Sequence, residues 1–312
     1  MVKVAMIGHK DFPSRSGGVE VMVGGLARSL VERGYDVTVY NRGLEKHHNV
    51  YDVDGVHARR VFTLQKPALN ATIYSFLATF DALFRGYDVL HYHAIGPSVP
   101  LLIAKIFGKH TVCTVHGLNW KVDKWRGFAS RYMKLGERIA AKYADDLVVL
   151  SETEWNYFLQ KYGRASILIP NAIRFYEKRA CTLIREKYGL ARGEYILYVG
   201  RISPEKGTLD LVEGYRKAKT GKKLVLVGPL DDSEYCRAVQ QQAQNDPNII
   251  MTDYQEYPDA MRQQQIQYIH TNFEYDVMLD RYEEVYHHVV GDPLKAMPST
   301  LKKGRVPAGA KA

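Results

Sequence analysis

The chain has 312 residues, 46% of them apolar and 25% charged, a balance that excludes a disordered or fibrous protein and leaves room for two ordinary domains. Its formal net charge of +9 calls for acidic partners, and nucleotide phosphates, anionic lipid and nucleic acid all qualify. No nucleic-acid motif, membrane-spanning apolar run or signal peptide is legible, and the three scattered cysteines offer neither a disulfide framework nor a metal spacing, so a cytoplasmic protein without nucleic-acid partners is expected.

The first strand, VKVAMIG (2–8), runs into a loop ending Ser16-Gly17-Gly18, and a helical pattern follows at 18–33. Paired glycines admit close approach of a ligand, and the first turn of a helix carries unpaired N–H groups and partial positive charge. Such a loop can hold phosphate. It is neither a dinucleotide fingerprint nor a P-loop, and a plain strand-to-helix turn reads equally well. Strands are then predicted at 36–41, 56–62, 88–93, 110–116, 146–151 and 166–171, with helices at 68–85, 98–107, 125–144 and 152–162. Apolar strands alternating with amphipathic helices predict a parallel sheet covered on both faces.

The segment IPNAIRFYEK (169–178) reads as a connector to a second series, with strands at 195–201, 223–228 and 248–254 and helices at 207–219 and 233–244. The expected fold class is α/β, with two parallel-sheet domains and a ligand in the cleft between them, because open parallel sheets bind at the carboxyl ends of their strands. The predicted boundaries are 1–173 for the first domain, 174–257 for a partial second one, 258–290 for a long C-terminal helix and 291–312 for a disordered basic tail.

Within the second series, GRISPEKGTLDLVEGY (200–215) places Arg201 at a strand end and Lys206 at a helix start. Two fixed cations beside unpaired helix amides suit a diphosphate, whereas two solvated surface cations are the plainer alternative. His91 and His93, in DVLHYH, share one face of their strand. His116 ends a strand and precedes Gly117. The helix KWRGFASRYMKLGERIAAK (124–142) is basic on one side and apolar on the other, which fits either a sheet cover with a solvated face or a helix resting on anionic lipid.

In order, GGVE (17–20), VHGLNW (115–120), VLSETE (149–154), IPNAI (169–173) and YVGRISPEKG (198–207) resemble the motifs of family 4 glycosyltransferases of the GT-B type. The N-terminal part is most similar to the rhamnosyltransferase-like and glucosyltransferase-like branch of bacterial capsule and exopolysaccharide clusters. The resemblance implies two Rossmann-like domains and transfer of a sugar, with retention, from dTDP-rhamnose or a UDP-hexose. The acceptor it implies is a saccharide or lipid-linked precursor, with a peripheral contact at the inner face of the membrane.

It also implies donor-phosphate roles for Gly17, Gly18, Arg201 and Lys206, a catalytic role for His116 and acceptor-side roles for His91 and His93. No metal or other cofactor is expected, since fixed cations serve the leaving diphosphate. The family's donor-site segment, with two glutamates spaced Glu-x7-Glu after a Pro-Ser strand end, is missing from the sequence. Glu205 and Glu213 have that spacing but fall in a turn and a helix. The second domain is therefore expected to be incomplete, with three strands and an exposed third-strand edge unless the last helix covers it. A catalytically weakened remnant acting as a binding protein is the alternative.

Overall fold

The computed structural model describes residues 1–14, 17–43, 50–64, 67–118, 127–172, 182–191, 193–253 and 275–291. The chain divides into two compact units, Met1–Arg174 with Ile269–Ala312, and Phe175–Tyr268.

The first unit is built from β1 (Lys3–Ile7), α1 (Gly18–Glu32), β2 (Asp36–Gly43), β3 (Val50–Val53), β4 (Val56–Phe62), α2 (Pro67–Leu83) and β5 (Val89–His93). It continues with α3 (Leu101–Ile106), β6 (His110–Val115), α4 (Phe128–Tyr143), β7 (Asp146–Val149), α5 (Glu152–Tyr162) and β8 (Ile167–Leu168). The eight strands form one sheet in the order β3-β4-β2-β1-β5-β6-β7-β8, parallel except for the antiparallel β3–β4 pair. From β1 the chain first builds outward through β2, then returns to the other side of β1 with β5. The strand order therefore reverses between β1 and β5, the place where an open α/β sheet leaves a crevice at its carboxyl edge.

Alternation along β1 sorts the core into two layers. Val4 and Met6 face α1 and the last helix, α9 (Tyr275–Val290). Ala5 and Ile7 face α2, α3, α4 and α5. The helix expected over 258–290 is thus observed over Tyr275–Val290, while 258–274 lie outside the described residues. Its Tyr282 and Tyr286 are fully buried on the first sheet. Arg33, at the C-terminal cap of α1, ties α9 down by pairing with Asp280 at 2.6 Å and with Glu283, and His288 Nδ1 meets Asp146 Oδ2 at 2.7 Å.

The second unit contains α6 (Thr182–Tyr188), β9 (Tyr195–Val199), α7 (Thr208–Ala218), β10 (Lys223–Val227), α8 (Glu234–Gln244) and β11 (Ile249–Thr252). The strands are parallel, in the order β11-β10-β9. α7 and α8 cover one face, and Ile184 of α6 with Leu190 covers Val225 and Val227 on the other.

The edge prediction needs a correction. Among the described residues β9 is an edge strand as well as β11, on the side where later strands of a doubly wound sheet add beside the first one. No residue of β9 is buried, and Ile196 and Val199 each remain 39% exposed. Among the described residues, the apolar face of the last helix packs on the first sheet. Two elements escaped the sequence reading, β3 and α6. Of the tail expected over 291–312, all but Gly291 lies outside the described residues.

Candidate functional site

In the first unit, the carboxyl ends of β1, β5 and β6 bring four histidines into one region. His91 and His93 lie on the same face of β5 with ring centroids 4.0 Å apart. His93 Nδ1 meets His116 Nε2 at 3.2 Å, so the β5 and β6 residues singled out by sequence do meet. The structure also adds His9, just past the end of β1, which the sequence reading missed. A histidine directly after Gly8 at the end of a buried strand was the available signal.

Gly8 makes this junction possible. Its φ is +133°, and a Cβ there would lie 2.1 Å from the His93 carbonyl oxygen. Only glycine permits that backbone conformation and that approach together.

The tautomer of His9 follows from its neighbour. The Asn41 amide nitrogen donates to the Phe12 carbonyl and to the Tyr51 hydroxyl, each at 2.7 Å, so its Oδ1 faces His9. His9 Nε2–H therefore donates to Asn41 Oδ1 at 2.9 Å, and Nδ1 carries the lone pair. Neither His9 Nδ1 nor His93 Nε2 has a hydrogen-bond partner among the described residues, although both atoms are buried. Burial holds the His9 and His116 pKa values down to about 4 and that of His91 to about 3. Burial pushes His93 well below the usual range too, helped by the neighbouring histidines. All four are neutral at pH 7, so they offer hydrogen bonds rather than charge.

His91 stands apart from the other three. Its Nδ1 meets the Tyr286 hydroxyl at 2.7 Å and its Nε2 meets Thr114 Oγ1 at 2.8 Å. Both ring nitrogens are engaged inside the core, beneath α9, and neither is offered to a ligand.

The Gly17–Gly18 turn opens α1 without a side-chain cap. Glu20, buried in the first turn, accepts the Lys10 N–H at 3.1 Å, and its Oε2 would lie 2.4 Å from a Cβ on Gly17. A carboxylate thus already faces this helix N-terminus, which favours hydroxyl groups over a second anion there. A Cβ at Gly18 would meet nothing within 4 Å.

In the second unit, Arg201 follows β9, and Lys206 ends a short 3-10 turn, Pro204–Lys206, before α7. Gly207, at φ +62°, makes the step from that turn into α7. Arg201 pairs with Glu205 at 3.2 Å, but its side chain is 65% exposed, so the pair is weak and a phosphate can displace it. The buried hydroxyls of Ser203 and Thr208 have no partner among the described residues. Glu213, exposed on α7, pairs with Lys217 at 2.6 Å; with Glu205 in the 3-10 turn, the two glutamates fall in different elements, as the sequence indicates.

The chain holds one Asp-x-Asp sequence, Asp52-Val53-Asp54, at the β3–β4 turn. Its acids face His57 and Arg28 rather than one another, at 2.5 and 2.6 Å. Asn119 and Trp120 of the VHGLNW motif lie outside the described residues.

The comparisons with known proteins bear on the family and the fold. Among solved structures, sucrose-phosphate synthase from Thermosynechococcus elongatus is similar with a TM-score of 0.68 at 19% identity, over 84% of this chain and 73% of that one. HepE from Anabaena, in complex with UDP and glucose, has a TM-score of 0.62 at 16% identity, over 84% of this chain and 71% of that one. The E. coli structure described as trehalose-6-phosphate bound with UDP-2-fluoro glucose has a TM-score of 0.58 at 11% identity, over 83% and 75%. At such identities the likeness carries the fold, which is of the GT-B type with a shortened second unit. No curated protein matches the chain. The model of Glycosyltransferase Family 4 matches residues 16–175, just over half of the sequence, and the chain accordingly belongs to glycosyltransferase family 4.

Proposed function

We propose that this glycosyltransferase moves a sugar from a nucleotide donor, a UDP-hexose or dTDP-rhamnose, to a saccharide or lipid-linked precursor of a bacterial surface polysaccharide, with retention of configuration. The observation that carries the donor half is the end of β9. There Arg201, Lys206 and the Ser203 and Thr208 hydroxyls cluster around the turn into α7. As the glycosidic bond breaks, the leaving diphosphate gains negative charge, and fixed cations aimed at it lower the barrier. In this reading Arg201 and Lys206 need no metal to do so. HepE in complex with UDP-glucose supports a uridine donor as the first choice.

The acceptor half belongs to the first unit. His116, neutral and hydrogen-bonded to His93, aligns a sugar hydroxyl. Gly17 and Gly18 let substrate approach the α1 N-terminus closely, with Glu20 tuning that turn towards hydroxyls and leaving most of the diphosphate to the second unit. His91 contributes by holding His93 in place.

Calorimetric titration with UDP and dTDP tests the donor assignment. Saturable binding of at least one nucleotide is expected. Arg201→Ala should weaken it roughly tenfold to a hundredfold, the value of one charged hydrogen bond to phosphate. Because the Arg201 side chain is largely exposed, the variant should fold normally. A folded parent chain that binds neither nucleotide removes the donor reading.

A further inference from the structure

Arg42 stands at the carboxyl end of β2, beside the end of β1, and is half-buried. Its backbone N–H donates to the Lys10 carbonyl at 2.9 Å, which holds the loop after β1 against β2. The guanidinium turns towards the same loop. Nε donates to the His9 carbonyl at 3.2 Å and Nη2 to the Gly8 carbonyl at 3.3 Å. Nη1 donates to Asn70 Oδ1 of α2 at 2.9 Å, and the group lies 5.2 Å from the centroid of the Tyr74 ring.

All of these partners are neutral. Arg33 and Arg59 meet acids instead, Arg33 with Asp280 and Glu283, Arg59 with Asp81. Among the described residues no carboxylate lies within ion-pairing distance of Arg42. Glu20 acts on it only through space, and one oxygen of Glu20 is already taken by the Lys10 N–H. Burial works against the charged form, yet a guanidinium keeps its proton at neutral pH. A charge drawn out of water without a counter-ion costs free energy that a neutral side chain of similar length would not. Two donors are left over, since each terminal nitrogen has two N–H groups and spends one here. Lys10, exposed and without an ion-pair partner among the described residues, can lend a second positive charge.

We infer that Arg42 receives an anionic group, a carboxylate or a phosphate carried on the acceptor sugar. The planar guanidinium offers the paired donors that such a group takes. Its bond to the His9 carbonyl sets this charge beside the neutral histidines, which are suited to hydroxyls. The inference rests on the reading of the first unit as the acceptor half and deepens it, making the acceptor an acidic sugar rather than a neutral one.

The test is a ligand-observed NMR titration of the full chain with sodium D-glucuronate, glucose 6-phosphate and glucose, at an ionic strength held constant with sodium chloride. At least one of the two anionic sugars should bind about tenfold or more tighter than glucose, and which one does so tells a carboxylate from a phosphate. Arg42→Gln should remove that preference and leave the affinity for glucose unchanged, a selective loss that a merely structural arginine would not give. Should Arg42→Gln fail to fold, Arg42→Lys keeps the charge without the paired donors and should cut the preference several-fold. Arg201→Ala should keep it in full. Equal binding of the three sugars, binding of none, a preference undiminished in the Arg42 variants, or one lost in Arg201→Ala overturns the inference. UDP binding without any such preference overturns this inference alone and leaves the donor reading standing. An Arg42-dependent preference in a chain that binds no nucleotide supports the anion site and removes the donor reading.

Discussion

Lowering the pH from 7 to 5 is expected to strip most of the stability from the first unit while sparing the second. His9, His91, His93 and His116 all have folded pKa values held below the ordinary 6.5, chiefly by burial. The unfolded chain therefore binds protons near pH 6 that the folded chain refuses. The stability held by these neutral rings is fully present above about pH 6.5 and is lost as pH falls from there towards about 4. Each histidine contributes up to about 1.4 kcal/mol per pH unit in that window. Four of them, over one to two units, rival the roughly 5–15 kcal/mol net stability of a whole domain.

Glu20 opposes the trend at His9 by favouring its protonated form, whereas Arg42 adds to it. Within its bounds the second unit has no histidine and serves as the internal control. All three tryptophans precede residue 174, so their fluorescence during urea unfolding reports on the first unit alone. A tryptophan transition that does not move between pH 7 and pH 5 would show that the rings protonate in place. In His9→Gln the slope should fall by about a quarter, the share of one ring in four.

Gly8→Ala is the second large effect. The added methyl meets the His93 carbonyl oxygen at 2.1 Å, and alanine is strained at a φ of +133°. Neither backbone can yield without parting the ends of β1 and β5, so a loss of at least about 3 kcal/mol is expected in urea unfolding. Gly18→Ala is the instructive contrast. Its Cβ meets nothing, and a helical alanine in place of glycine should be neutral or stabilising by up to about 1 kcal/mol. If Gly18 is there to admit substrate, the variant keeps its stability and loses transfer activity or nucleotide affinity. A Gly8→Ala chain as stable as its parent would mean that the β1–β5 junction is looser than its geometry implies.

Much of this fold could be read from periodicity. Strands such as VKVAMI and KLVLV are short runs rich in β-branched residues between turn signals, and they stand where the pattern put them. β3 escaped because VYDV is short, alternates and pairs antiparallel at an edge, outside the strand–helix rhythm. α6 escaped because TLIREKY has neither a clear cap nor a long apolar stripe. The pairing of His91 with His93 was legible from their spacing of two. What covers them was not, because Tyr286 lies 195 residues from His91 in sequence. The Gly17–Gly18 loop announces close approach, but the charge of its surroundings is set by how the Glu20 side chain folds back. The exposed β9 edge comes from the order of strands in space, which no local pattern records.

The return of α9 to the first sheet has a consequence for biosynthesis. One side of that sheet is finished only when residues 275–290 arrive, although its other elements are complete by residue 168. At about 5–20 residues per second, the ribosome leaves this face of the nascent chain uncovered for roughly five to twenty seconds. During that interval His91 lacks its tyrosine, and Val89 of β5 and Val112 of β6 lack the cover of α9. A chain stopped anywhere before α9 carries that opening permanently, which makes it a substrate for chaperones and proteases rather than a smaller working protein.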